Sequence, residues 1–335
     1  MATVSRRRVL QVGAAATLTA SVRGRASASG TVTIAMQNGI GYLPIIVADA
    51  QGLFDKHVTA LGAAGTKVVI KKLSGAPAIN DSLLSGSIEV GAYGAPGLLI
   101  AWEKTRKSYD IRGLTPLSMG RYSLYASDPD IRTVADFPAT SRIAVTASNS
   151  PQAILLRMAA VKAMGEGAIK HFDTMMVGLP HPDSTAMMLS GSSTINGYFA
   201  NDPFITVLEK NPKLHVVTTS EEILGHPATS GLLATTGKFV NAQPQAARGI
   251  VDAIRAAEDF IRADPAKAGE LYLKSEPFDI SGETLTAMIR DNKWSTEPRG
   301  IMAYASFMAK LGMIKTPPSR WQDVFFPPVN EGPGD

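Results

Sequence analysis

The side chains in this sequence best suited to chemistry are neutral hydroxyls, carboxamides and phenols, gathered where apolar, β-rich runs end. Gln37, Asn38 and Tyr42 follow the run at 31–36, and Ser74 and Gly75 follow 67–73. Tyr93 and Ala95 follow 88–92, and Ser148, Asn149 and Ser150 follow 142–146. Tyr198 and Asn201 fall at or just past the end of 195–199. Several of these positions lead into helix starts, where free N–H groups and the positive end of the helix dipole suit an anion. Small residues there let the backbone come close to it. A nitrate, sulfonate or carboxylate could thus be held without a dedicated Lys or Arg.

Each candidate has a plainer role beside the functional one. Ser148 and Ser150 are also good helix caps. Tyr42, Tyr93 and Tyr198 could be core or rim aromatics. Arg121 could contact an anion or form an ordinary salt bridge. His181 and His226 each precede a proline, and no H-x-x-x-H spacing supports a metal. The sequence has no G-x-S-x-G, no P-loop and no G-x-G-x-x-G after its first strand. It has no cysteine, which excludes disulfides, thiolate metal sites, a Cys nucleophile and a lipid on an N-terminal Cys. No metal and no cofactor is expected.

The elements that must position these residues alternate. Strands at 31–36, 67–73 and 88–92 are separated by a helix opened by Pro44 and ending near Gly52, and by one running from Pro77 to Gly86. A second block repeats the grammar. A strand at 142–146 leads to Ser150 as N-cap and Pro151 at N1. Next come a helix toward Gly165, a strand at 175–178, a helix capped by Asp183 and ending at Gly191, and a strand at 195–199. Leu84-Ser85-Gly86-Ser87 matches Leu189-Ser190-Gly191-Ser192, and Tyr93 matches Tyr198 at the same offset. The fold class is therefore α/β, with parallel-rich sheets flanked by helices and two lobes built from related units. The C-terminal third reads as helices opened by Pro244, Asp264-Pro265 and Ser281 and after Pro298. The tail 316–335 is expected to be extended on the surface or poorly ordered.

Residues 1–28 read as a twin-arginine-type signal peptide. Ser5-Arg6-Arg7-Arg8-Val9-Leu10 precedes an uncharged stretch at 12–22, and Ala26-Ser27-Ala28 offers a cleavage site near Ala28. The stretch is too short and too rich in Ala, Thr and Gly to span a bilayer. Five of the 33 basic residues lie in this segment and no acid does, so the remainder has 28 basic against 29 acidic residues, a net charge near −1. With no basic patch in it, nucleic acid is not an expected partner. The expected compartment is the periplasm.

Gly41-Tyr42-Leu43-Pro44 with Val47-Ala48-Asp49-Ala50-Gln51-Gly52-Leu53-Phe54 resembles the opening of the nitrate/sulfonate/taurine-type ABC substrate-binding proteins. That family is related to the thiamine-pyrimidine synthase-like proteins. Leu84 to Gly91 resembles its L-x-x-G-x-x-D-x-G, with Glu89 for Asp. Asn196 to Pro203 resembles its D-A-x-x-x-x-x-P, with Asn196 for Asp. The resemblance covers about 31–312 in order. It implies a type II periplasmic binding protein fold: two lobes, two crossing hinge strands and a ligand in the cleft between them. On this chain the first lobe would be 31–120 plus 227–315 and the second 121–226, with crossings near 118–127 and 225–235. It implies a monomer that captures a solute by hinge closure and presents it to ABC permease and ATPase subunits. The cleft loops are poor in charge and hold several aromatics, so an organic anion such as a sulfonate or carboxylate is expected rather than bare nitrate. The alternatives are an enzyme on the same scaffold, acting on a pyrimidine or aromatic sulfur compound, or a sensor subunit. Aromatic sulfinate desulfinases need a Cys that is absent here, and the pyrimidine synthases are not exported.

Overall fold

The computed structural model describes residues 30–335, so the export segment expected at 1–28 lies outside the described residues. In chain order the first block is β1 (Thr31–Met36), α1 (Leu43–Ala50), α2 (Leu53–Ala60), β2 (Lys67–Lys72), α3 (Ala76–Ser85), β3 (Val90–Tyr93), α4 (Ala95–Thr105) and β4 (Arg112–Ser118). The second is β5 (Tyr122–Ala126), β6 (Ile143–Val145), α5 (Pro151–Met164), β7 (Met176–Gly178), α6 (His181–Ser190), β8 (Gly197–Asn201), α7 (Phe204–Leu208), β9 (His215–Thr219) and α8 (Ser220–Leu224). The chain then returns through β10 (Gly231–Thr235), followed by α9 (Gly237–Ala242), α10 (Pro244–Ala263), α11 (Pro265–Ser275), α12 (Gly282–Asp291) and α13 (Ile301–Lys310).

Two five-stranded sheets result, ordered β2-β1-β3-β10-β4 and β7-β6-β8-β5-β9. β1 pairs in parallel with β2 and β3, while β10 runs antiparallel between β3 and β4. In the other sheet β6 pairs in parallel with β7 and β8, and β5 runs antiparallel between β8 and β9. Each sheet therefore receives one reversed strand straight after a crossing between sheets. The crossings lie between β4 and β5 and between α8 and β10, and they are tied together. The Ser230 N–H donates to the Ser118 carbonyl (2.9 Å), and the Gly120 N–H donates to Ser230 Oγ (2.7 Å).

α10 is the spine of the first unit. Its apolar stripe of Ala246, Ile250, Val251, Ile254, Ala257 and Ile261 is buried. Gly249 lets α10 rest on α2, since a Cβ there would lie 2.7 Å from Val58 Cα. Glu258 is buried on the same helix. Burial, against the partial pull of Arg262, pushes its carboxyl pKa up to about 8. A raised folded-state pKa means a contribution to stability that is complete below the carboxyl's ordinary pKa and is lost as the pH rises toward 8. Glu258→Gln is accordingly expected to melt a few degrees above the parent at pH 9 and to lose that advantage near pH 4, as thermal melts at the two pH values would show.

Three local expectations are corrected. The third strand begins at Val90 rather than at 88, because the Ser87 and Ile88 N–H groups still donate to the Ser82 carbonyl and finish the turn after α3. Asp183 lies in the first turn of α6, which starts at His181 after Pro180, so it is not the cap. The tail 316–335 is neither extended on the surface nor loose. Trp321, Val324, Phe325, Phe326 and Val329 are buried, and Phe325 bridges to Gly113 beside β4. The carboxylate of Asp335 accepts from the Ile301 and Met302 N–H groups at the start of α13.

Candidate functional site

The carboxyl ends of β1, β3, β6 and β8 face one another across a cavity between the sheets, where open α/β sheets bind ligands. One side is formed by Gln37, Asn38, Tyr42, Gly75, Ala76, Gly94 and Gly97. The other is formed by Thr146, Ala147, Asn149, Ser150, Pro151, Gln152, His181 and Asn201, with Tyr122 and Ser230 at the crossings. None of these lining residues is a Lys, Arg, Asp or Glu. The cavity volume is about 50 Å³, room for a few waters or one small polar group.

Four helices begin at this cavity. Ala76 opens α3, Gly97 lies in the first turn of α4, Pro151 and Gln152 open α5, and His181 opens α6. Two come from each side, so their positive ends converge on one space. Each has a proline in its first turn, which fixes the entry of the chain where no N–H partner is needed.

The polar side chains supply directed donors. Gln37 Nε2 donates to Tyr42 Oη (3.1 Å), leaving the phenol proton free to point elsewhere. Burial, with Tyr122 and Glu276 nearby, holds the Tyr42 pKa far above its ordinary value, so it stays a donor. Asn201 Oδ1 is buried with no hydrogen-bond partner, and the carboxamide turned over would present its NH2 group instead. His181 is held between Gln152 and Tyr198, with Nε2 3.1 Å from Gln152 Nε2 and Nδ1 2.5 Å from Tyr198 Oη. A neutral ring fits both contacts if Nδ1–H donates to Tyr198 and Nε2 accepts from Gln152. Loss of water around the ring pushes its pKa down to about 4, consistent with that form.

Behind the loop at 148–150 sits Arg157, nearly buried. Its Nε pairs with Asp173 (2.7 Å), and its Nη1 donates to the carbonyls of Ser148 (2.9 Å) and Ala153 (3.3 Å). Ser150 Oγ accepts from the Ala153 N–H (3.3 Å), so Ser150 is both a cap and part of the wall.

Of the residues singled out in the sequence, Gln37, Asn38, Tyr42, Gly75, Asn149, Ser150, His181 and Asn201 come together here. Ser74, Tyr93, Ala95, Arg121, Ser148 and Tyr198 are not in the wall. Tyr93 and Ala95 are wholly buried, and Tyr198 stands behind His181. Arg121 forks onto Asp202 (3.0 and 3.4 Å) and reaches Glu209 (3.4 Å) in a separate hollow with Lys293. Among the polar wall residues, Tyr122, Thr146, Gln152 and Ser230 were missed. Gln152 had a readable signal as the second residue of a proline-opened helix; Ser230 had none, because its place depends on the second crossing. Among the described residues no group of three His, Asp or Glu side chains could hold a metal ion.

The model of the NMT1-like family matches residues 25–272. A search of curated proteins finds no match. Among solved structures, the alkanesulfonate-binding protein SsuA from Xanthomonas axonopodis pv. citri, bound to MOPS, is 15% identical, with 85% of this chain and 94% of that one covered at a TM-score of 0.67. The ligand-binding component of an ABC-type import system from Staphylococcus aureus, with zinc bound, is 13% identical, with 90% and 98% covered and a TM-score of 0.67. The periplasmic nitrate-binding protein NrtA from Synechocystis PCC 6803 is 15% identical, with 76% and 68% covered and a TM-score of 0.59. The chain shares the two-sheet α/β fold of these proteins.

Proposed function

The chain belongs to the NMT1-like family, and from that premise we propose that it is the periplasmic solute-binding component of an ABC importer. It captures a small organic anion between lobes 31–120 plus 227–315 and 121–226, which close about the two crossings. The observation that carries this reading is the uncharged polar cavity at the converging starts of α3, α4, α5 and α6. Neutral dipoles from both lobes can hold a single negative charge there, and binding it draws the lobes together. The family match, and neighbours described as components of import systems or as periplasmic binding proteins, support the partners and compartment: a permease and its ATPase, reached after export. A binding protein returns its solute unchanged, and the cavity wall holds no nucleophile activated by a base.

A thermal-shift screen of residues 29–335 against sulfonates, carboxylates, nitrate, pyrimidines and nucleobases tests this. A bound anion at a hundredfold excess over its Kd raises stability by ~2.7 kcal/mol, and the recovered ligand is chemically intact. Turnover of a ligand, or a shift confined to neutral heterocycles, would overturn the reading.

The histidine adds a pH dependence. An anion beside His181 favours the imidazolium and raises its pKa from about 4. Affinity for a sulfonate, which stays ionised throughout, should therefore strengthen as the pH falls from about 6 toward 4. Calorimetric titrations across that range should show the slope in the parent and none in His181→Gln.

A further inference from the structure

The loop before α5 is a tight turn holding one peptide whose direction the turn itself does not fix. The Ser150 N–H donates to the Ala147 carbonyl (3.0 Å), which closes a four-residue turn over 147–150 with Ser148 and Asn149 at its centre. The central peptide joins the Ser148 carbonyl to the Asn149 N–H, and neither group takes part in the turn's own hydrogen bond. A trans peptide is planar, so its C=O and N–H point in opposite directions. Turns of type I and type II differ by a flip of this unit, and the type II form needs a positive φ at the second central residue. Asn149 does not have one here, so the peptide is held in the type I sense. Asn enters positive φ more readily than most residues, so the local sequence leaves the flip open.

Arg157 decides between the two. It is 7% exposed and stands behind the cavity wall, whereas Ala147, Asn149 and Ser150 are in it. Its Nη1 donates to the Ser148 carbonyl (2.9 Å) and to the Ala153 carbonyl (3.3 Å), while Asp173 fixes its Nε (2.7 Å). The planar guanidinium thus has its direction set at two edges, and its bonds are charge-assisted. The Ser148 carbonyl is turned to the Arg157 side, so the Asn149 N–H points the other way. No described residue accepts from that N–H.

Resting on the proposed role as an anion-binding protein, we infer that Arg157 is a positioning residue that sets the sign of the backbone dipole facing the solute. By holding the Ser148 carbonyl it aims the Asn149 N–H into the cavity, where that N–H donates to the anion. The flipped peptide would set a carbonyl oxygen against the negative charge instead. Asp173 offsets much of the guanidinium's own charge, so Arg157 acts through the peptide it holds. Preference for an anion then depends on a side chain that never touches it.

Calorimetric titration with methanesulfonate through a set of mutant cycles tests this. Arg157→Met keeps the stem and removes the guanidinium. It is expected to lower affinity about ten- to a hundredfold, the worth of a hydrogen bond to a charged group. Asn149→Val bars positive φ, so the turn cannot flip, and adding Arg157→Met to it is expected to cost about twofold at most. Asn149→Gly frees φ, and adding Arg157→Met to it is expected to cost at least as much as in the parent. Each pair is compared within its own background, so the altered wall side chain cancels. If Arg157→Met does not fold, Asp173→Asn, which loosens the guanidinium, goes through the same cycles with the same ordering expected. An equal loss in all three backgrounds would make Arg157 a structural support alone and overturn the proposal, as would no loss in the parent background. A parent that binds neither methanesulfonate nor any other anion would overturn the anion-binding role itself, and the positioning role with it.

Discussion

Replacing Gly94 with alanine should weaken solute binding roughly ten- to a hundredfold without unfolding either lobe. Gly94 caps α4 in a β conformation that any residue can adopt (φ −82°), so the backbone itself does not need glycine. The space does. A Cβ at this position would lie 2.4 Å from Pro151 Cγ, 3.0 Å from its Cδ and 3.4 Å from the Ser230 carbonyl. Pro151 opens α5 on the opposite side of the cleft, so the clash lies between lobes and is relieved by parting them. Parting them withdraws two of the four helix ends from the anion. Overpacking of this kind costs ~1–3 kcal/mol, which is about that range of affinity. Gly94→Val should be worse. Calorimetry would give the affinity, thermal melts would show the fold intact, and small-angle scattering would show a larger radius with solute present. Undiminished affinity would mean that the lobes do not close along this contact.

The second large effect is on stability. Phe325→Ala should cost ~3–5 kcal/mol, with a melting temperature lower by ~10 °C. The ring is completely buried and lies against β4 where Gly113 leaves room for it; a Cβ on Gly113 would meet Phe325 Cε1 at 2.3 Å. The Phe326 N–H donates to the Gly113 carbonyl (2.9 Å), and Trp102 Nε1 donates to the Asp323 carbonyl (3.0 Å), so the tail is bonded as well as packed. Glu331→Ala, an exposed change in the same tail, should stay within ~0.5 kcal/mol. A melt of Phe325→Ala indistinguishable from the parent would show that the tail adds nothing to the first unit.

Much of this architecture is legible in the sequence, for identifiable reasons. β1 and α5 announce themselves because alternation and a Ser150–Pro151 start are local signals. The resemblance then supplied the lobes and crossings. The tail misled because its prolines and glycines signal irregular backbone, while its burial depends on a partner strand some two hundred residues earlier. The site divided the same way. Residues on loops after strands, such as Asn38 and Asn149, could be placed by topology alone. Tyr93 ends β3 while Tyr198 is the second residue of β8, and since a residue's face on a strand is set by pleat and register, both turned inward. Arg121 was decided by Asp202, a partner far away in sequence.

The central claim is that neutral helix ends hold a negative charge. It is tested most directly by titrating the protein with methanesulfonate and with dimethyl sulfone, nearly the same shape without the charge. The account predicts saturable one-to-one binding of methanesulfonate and at least tenfold weaker binding of the sulfone. Equal binding of both, or preference for the sulfone, would contradict it.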